Sequence, residues 1–232
     1  MLHVRKGFTP THDFFTYEDR ASGIDYFPTG KPNVQTEARQ QMTTYSDTVT
    51  IGDARAQYFA ENNFGDGGYT ASWVKVQAGP IPIYFPNTAA RVRAVRFHDL
   101  HHVATGYDTT WTGEAEIGAW EVASGCAHHY AAWQLNLQAM AIGLVIAPQA
   151  VYRAFMRGRY TKNLYQEEFT EGLLSPTVGD LRQRLHLTAL LPQPTPSDHI
   201  AFVGWAGTSV LTLVSSLAAV LAPIVGLAML IF

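Results

Sequence analysis

The stretch at residues 87–106, N-T-A-A-R-V-R-A-V-R-F-H-D-L-H-H-V-A-T-G, decides the fold class. Asn87 or Thr88 offers a side-chain oxygen to cap a helix, and Val92, Val95, His98 and His102 then recur at three- and four-residue intervals on one face. That spacing predicts a helix with its histidines on the core-facing side. Residues 106–112 read as a loop. Thr112 or Gly113 begins a second helix through Glu114, Gly118 and Glu121 toward Gly125, with small residues that permit close helix packing.

The same periodicity extends outward in both directions. Ile51, Ala54, Tyr58 and Phe59 suit a short helix over 51–63, which Gly65, Asp66, Gly67 and Gly68 break. Alternation in Trp73-Val74-Lys75-Val76-Gln77 and in Ile81-Pro82-Ile83-Tyr84 predicts two short strands around Gly79-Pro80. The segment 130–150 is strongly apolar yet holds Gln134, Asn136 and Gln138, which lipid would leave without partners, so it reads as one buried helix rather than a second span. Basic Arg153, Arg157, Arg159 and Lys162 follow, then a helical stretch over 178–187. The fold expected is mainly α: a compact helical domain with a short β-hairpin-like segment, plus a C-terminal transmembrane helix.

That last helix comes from residues 208–232, which carry no charge and are dominated by Leu, Val, Ala and Ile. A bilayer core of about 30 Å needs about 20 apolar residues in a helix, so this run is long enough to cross once. Pro192, Pro194 and Pro196 make a stiff linker before it. The organisation expected is a poorly defined N-terminal arm at 1–50, a metal-binding helical domain at 51–191, a Pro-rich linker at 192–197 and a membrane anchor at 198–232. Arg182 and Arg184 precede the anchor and no charge follows it, which places the main domain on the cytoplasmic side. The first ten residues lack the apolar core of a secretory signal.

Composition narrows the functional classes. With 16 basic against 19 acidic residues and a net charge of -3, the chain lacks the basic excess that nucleic acid demands. A single cysteine, Cys126, allows neither an intramolecular disulfide nor a thiolate zinc cluster. Chemistry therefore rests on histidine and carboxylate. His98 and His102 lie one helical turn apart and can converge on one ion, and Asp99 sits about 100° round the helix from His98, in the same sector. Glu114 would come from the next helix to complete a nitrogen and oxygen site for zinc, iron or manganese. The residues alone leave the choice open. His101 could replace Asp99, and Glu116, Glu121, His128 and His129 enlarge the pool. Two histidines on an apolar face are also compatible with satisfied core residues. A zinc-peptidase motif needs glutamate directly after its first histidine, where this chain has Asp99.

His98-Asp99-Leu100-His101-His102, eleven residues, then Glu114 resembles the H-D-x-x-H-x11-E signature of the coenzyme Q biosynthesis protein 4 family. Val74-Lys75-Val76-Gln77, Phe85-Pro86-Asn87-Thr88, Phe155-Met156-Arg157-Gly158 and Leu181-Arg182 are similar to that family too, so the resemblance covers residues 53–187. It implies a mainly helical protein with a divalent metal, usually zinc, held by His98, Asp99, His102 and Glu114 beside an apolar tunnel for a polyprenylated quinone precursor. The implied activity belongs to ubiquinone biosynthesis: metal-dependent oxidative decarboxylation and hydroxylation at ring carbon 1 of a polyprenylated benzoate, the four ligands being catalytic through the metal. Where dioxygen is a reactant, an iron-type site of two histidines and a carboxylate is chemically more natural than zinc.

The resemblance implies as partners membrane lipid and other quinone-biosynthesis proteins, with homo-oligomers possible in principle. It would set the chain at a bacterial inner membrane, or on the matrix side of a mitochondrial one. The anchor departs from that family, whose members are usually peripheral. Gln134 and Gln138 could meet polar ring groups in the tunnel, and Arg153, Arg157 and Arg159 anionic headgroups at its mouth. Two other classes compete: a non-catalytic organiser that presents quinone intermediates around a structural metal, and a metal-dependent hydrolase.

Overall fold

A computed structural model describes residues 45–78 and 81–231. The arm assigned to 1–50 therefore lies mostly outside the described residues. Its last part, 45–50, belongs to the folded domain. Tyr45 is buried, Thr50 forms a bridge with Thr177, and the Arg182 guanidinium donates to the Tyr45 carbonyl at 2.9 Å and to the Asp47 carboxylate at 2.6 Å.

The described chain is mainly helical. Helix α1 (Ile51–Glu61) is followed by strands β1 (Trp73–Ala78) and β2 (Ile81–Pro86). Helices α2 (Ala89–Thr105), α3 (Trp111–Ser124), α4 (Tyr130–Ile146), α5 (Pro148–Arg159), α6 (Val178–Arg184) and α7 (Pro196–Ile231) follow, with a 3-10 turn at Glu171–Leu174. The strands pair antiparallel, Trp73 opposite Pro86 and Ala78 opposite Ile81. Threonines start four of the helices: the side chains of Thr50, Thr88, Thr110 and Thr177 each accept the N–H three residues on, satisfying one of the donors a helix start leaves open. Thr88 is the cap of α2. Asn87 instead ties the preceding loop, donating to the carbonyls of Gly68 and Ala71 at 2.8 Å each.

Helix α3 is wedged between α4 and α5, and glycine sets how closely. A Cβ on Gly143 of α4 would stand 2.4 Å from the Ala115 methyl, and one on Gly158 of α5 would stand 2.4 Å from the Trp120 carbonyl. Those contacts, with Gly118 of α3 against Asn136 and Ala139 of α4, run α3 antiparallel to α4 and parallel to α5. The Trp120 side chain fills the space between them, fully buried, its indole N–H on Thr161 Oγ1 at 2.8 Å. Leu100, Ile117, Met140, Phe155 and Leu164 complete the core around it.

Two expected boundaries move. The apolar segment 130–150 is two helices rather than one: Ala147 adopts φ -150° and ψ 56°, and Pro148 opens α5, where its missing N–H is no loss. The linker ends sooner than 197, because Pro196 is already the first residue of α7 for the same reason. Helix α7 is long and apolar enough over Pro196–Pro223 to cross a membrane, with only 6% of its apolar window buried.

Candidate metal centre

Helix α2 delivers both histidines of the motif to the α3 side. Gly106 closes α2 in the left-handed region at φ 76°, its N–H on the His102 carbonyl at 2.9 Å. The chain then doubles back, with Asp108 packed on Gly113 so tightly that a Cβ there would sit 2.2 Å from the Asp108 carbonyl oxygen. This tight return puts Glu114 in the first turn of α3, facing α2, where the positive end of the helix dipole also favours a carboxylate.

The result is a three-residue cluster. His98 Nε2 and His102 Nε2 stand 3.2 Å apart, and the Glu114 carboxylate straddles them, one oxygen 3.5 Å from each ring. His102 is buried, the His98 side chain is 18% exposed and that of Glu114 is 38% exposed, so the cluster opens outward on the Glu114 side. Among the described residues His98, His102 and Glu114 are the group whose donor atoms could hold a metal ion.

Hydrogen bonds on the far sides of the rings fix which nitrogens face inward. His102 Nδ1 lies 2.8 Å from the Tyr107 carbonyl, an acceptor only, so Nδ1 carries the proton and Nε2 presents its lone pair. His98 Nδ1 donates to Glu121 Oε1 at 2.9 Å, leaving its Nε2 in the same role. Two lone pairs aimed at each other across 3.2 Å repel unless a proton or a cation lies between them. An ion with bonds of about 2.0–2.1 Å in tetrahedral geometry has ligand-to-ligand edges of about 3.3 Å, close to the three separations here. Carbonyl and carboxylate partners behind metal-binding imidazoles serve to fix the tautomer and orient the ring. The donor set therefore fits a divalent cation.

The fourth expected ligand is placed elsewhere. Asp99 is buried, and its Oδ2 accepts the Tyr69 hydroxyl at 2.5 Å, while the Arg96 guanidinium lies over the Tyr69 ring at 5.3 Å. It stays near enough for His98, His102 and Glu114 to influence its ionisation, and burial, only partly offset by the Tyr69 bond, raises its pKa. His101 has no nitrogen to spare: Nδ1 donates to Glu121 at 2.6 Å and Nε2 accepts the Leu164 N–H at 2.9 Å, the neutral tautomer. Burial lowers its pKa accordingly. His128 and His129 stack on one another at 4.6 Å, away from the cluster, and Glu116 is buried outside it.

Glu121 is the residue that sequence reasoning left undistinguished in its pool. Its fully buried carboxylate takes His98 and His101 on Oε1, and the Tyr165 hydroxyl at 2.7 Å together with the Asn136 amide on Oε2. Four donors saturate the group. Burial alone would raise its pKa, but the charge of His98 beside it holds Glu121 well below the usual carboxylate range. Glu114 is held down in the same way by His102 and His98 against its own desolvation. For His98, burial works against the charged ring, and Glu121 with Glu114 overcomes it to raise the pKa well above 6.5.

A cation must displace that proton. Apparent affinity is therefore expected to fall about tenfold for each pH unit below the raised His98 pKa, with about one proton released on binding near neutral pH. Calorimetric titration with zinc in buffers of different ionisation enthalpy measures the proton count. The sign for stability is opposite. The contribution of a raised histidine is fully present below about 6.5 and disappears as pH climbs through its folded value. Metal-free protein should lose stability toward alkaline pH while zinc-loaded protein should not, which melting curves at several pH values read directly.

The two histidines and one carboxylate form a cluster that could hold a metal ion, set in a mainly helical protein. No family model, curated protein or solved structure matches the chain.

Proposed function

We propose that this chain is a membrane-anchored metalloprotein similar to the coenzyme Q biosynthesis protein 4 family, which acts on the ring of a polyprenylated quinone precursor. One observation supports it most: His98, His102 and Glu114, three of the four residues that carry the resemblance, converge with their donor atoms within 4.8 Å of one another. In this reading His98 Nε2, His102 Nε2 and the Glu114 carboxylate hold the ion, zinc or iron, and Asp99, bonded to Tyr69, contributes a nearby buried carboxyl group. When bound, the ion would polarise a ring carboxylate or phenolate and stabilise charge developing as carbon dioxide leaves. Glu121 and the Tyr107 carbonyl hold the two imidazoles in the tautomers that such binding requires. The Tyr58 ring, stacked on His102 at 5.4 Å, shields that side of the site.

Replacing the ring carboxylate by a hydroxyl is a two-electron oxidation, which balances with water as the source of the hydroxyl and dioxygen as the electron acceptor, releasing carbon dioxide and hydrogen peroxide; His98, His102 and Glu114 would be the three protein donors of an iron-type set. The main domain then sits on the cytoplasmic face, with α7 as anchor. Purified full-length protein, loaded separately with zinc, iron or manganese and given a carboxyl-labelled polyprenyl hydroxybenzoate with dioxygen, is expected to release labelled carbon dioxide with at least one metal. Lipid co-purification without release under any metal would favour the organiser over the enzyme.

A further inference from the structure

Arginines elsewhere in the fold find acids: Arg159 meets Asp198, Arg182 meets Asp47 and Arg184 meets Glu167. Around the loop at 66–71 they do not. Arg55 on α1 and Arg91 and Arg96 on α2 are each partly buried, and among the described residues none of them makes an ion pair. One loop gathers all three. The Arg96 guanidinium lies over the rings of Tyr69 and Phe169 at 5.3 Å each. Arg55 lies over Phe59 at 5.8 Å, and that ring meets Tyr69 edge-on at 5.8 Å. Arg91 lies over Phe85 at 5.7 Å and donates at 2.9 Å to Asn87, the residue that ties down the Gly68 and Ala71 carbonyls.

Aromatic faces attract these cations and hold their planes in place, but a ring face does not replace the acceptors that an N–H pair loses on leaving water. The Nε–H groups of Arg91 and Arg96 are buried with no hydrogen-bond partner. Each is a charge partly desolvated with little in return. Burial lowers the Arg91 pKa, and Asp99 and Tyr69 oppose that only from a distance. Asp99 is itself raised by burial, and it spends one oxygen on the Tyr69 hydroxyl. Burial and Asp99 raise the Tyr69 pKa, while Arg55 and Arg96 pull it down, so both guanidinium charges act at that ring. Asp66, the acid of the loop, takes the Gly68 N–H and the Thr70 hydroxyl. In a chain of net charge -3, three positive charges thus stand around one loop without a counter-charge.

We propose that Arg55, Arg91 and Arg96 form a binding site for a phosphate group. A phosphate monoester carries a charge of about -1.5 to -2 at neutral pH on three acceptor oxygens, which matches several unpaired cations better than the single charge of a carboxylate. Guanidinium forks held by stacking suit it, because planar pairs of N–H groups grip two oxygens at once and little side-chain freedom is left to lose. The site adjoins the metal cluster. Arg96 and Asp99 are three residues apart on one face of α2, His98 is the next residue round the helix, and Tyr69 lies under Arg96 with its hydroxyl on Asp99. The phosphate could be free, part of a soluble metabolite or a lipid headgroup. The site stands whether or not the histidines hold an ion.

The test uses full-length protein in detergent, stripped of metal by a chelator so that phosphate cannot bind through an ion. Melting curves and calorimetric titration compare inorganic phosphate, acetate at equal ionic strength and short-chain dihexanoyl phosphatidic acid. Phosphate is expected to raise the melting temperature clearly more than acetate. Arg91→Gln and Arg96→Gln should each weaken phosphate binding by about tenfold or more, the loss that follows when charge-assisted bonds are removed. Arg96→Lys should recover only part of it, since an ammonium keeps the charge and lacks the fork. Arg184→Gln, at an arginine paired elsewhere, and His98→Ala should bind as the unmodified protein does. Tighter binding of phosphatidic acid than of phosphate would support the site and name a lipid headgroup as its source, and equal binding would name a soluble phosphate. A phosphate effect no larger than that of acetate, or one undiminished in both glutamine variants, would overturn the proposal. Loss in His98→Ala with retention in the arginine variants would put the anion at the histidines and overturn it too.

Discussion

Replacing Glu121 by alanine is expected to destabilise the protein by about 3–5 kcal/mol, the loss that follows when one member of a buried ionic network is deleted. The reason is the number of groups that depend on it. His98, His101, Asn136 and Tyr165 all direct donors at this carboxylate, from α2, α4 and the segment after α5, and alanine leaves each without its partner, three of them in the buried core. Glutamine keeps the volume but removes the charge and aims an N–H₂ group at other donors. It should fold better than alanine, and its zinc affinity should drop about 10–100-fold, the effect typical when the outer partner of a metal-binding histidine is changed. Chemical denaturation of the metal-free variants and competition titration with a zinc chelator separate the two effects. Unchanged stability in Glu121→Ala would mean that the four donors find other partners, and the network would not be what positions His98.

Why Glu121 was not singled out in the sequence is instructive. Glu114 and Glu121 are seven residues apart, two turns of a helix, so both lie on one face of α3. That spacing was visible. What the periodicity could not say was that the face meets α2, or that one carboxylate would be sealed in the core while the other stayed 38% exposed. Those facts depend on the tight return at residues 106–113 and on the closeness that Gly118, Gly143 and Gly158 permit. His98 and His102 were legible because their pairing is local, one turn apart on one helix. Asp99 shows the limit of the same local rule: lying in the same sector, about 100° round, it was free to turn to either side. Tyr69, delivered from a glycine-broken loop with no periodicity to place it, took its carboxylate. The long apolar C-terminal helix, able by length and composition to cross a membrane, was legible from composition alone. Its contact with α4, where Gln134 and Gln138 each donate to Ser216 Oγ and Trp133 stacks on Trp205, was not, because the two glutamines look alike whether they face a ligand, the core or another helix.

Asp99 and Glu114 together decide whether the geometry or the motif names the ligands. The cluster of donor atoms contains Glu114 and leaves Asp99 on Tyr69, so Glu114→Gln should lower zinc affinity by more than the 10–100-fold carried by outer partners, and His98→Ala should abolish stoichiometric binding. Glu114 is partly exposed at the start of α3, so its replacement should leave the circular dichroism spectrum unchanged. Asp99→Asn should keep one zinc per chain, because asparagine still accepts the Tyr69 hydroxyl and only a nearby charge is lost. Tyr69→Phe supplies the complementary case by releasing the Asp99 carboxylate, which is then free to rotate toward the histidines. If binding in Tyr69→Phe tightens while Asp99→Asn alone is neutral, Tyr69 is what withholds the fourth ligand of the motif from the site. Loss of zinc in Asp99→Asn with retention in Glu114→Gln would reverse the assignment and restore Asp99 to the place the motif gives it. Metal content per chain by atomic emission after identical dialysis, together with competition titration against a zinc chelator on the same four variants, tells these outcomes apart.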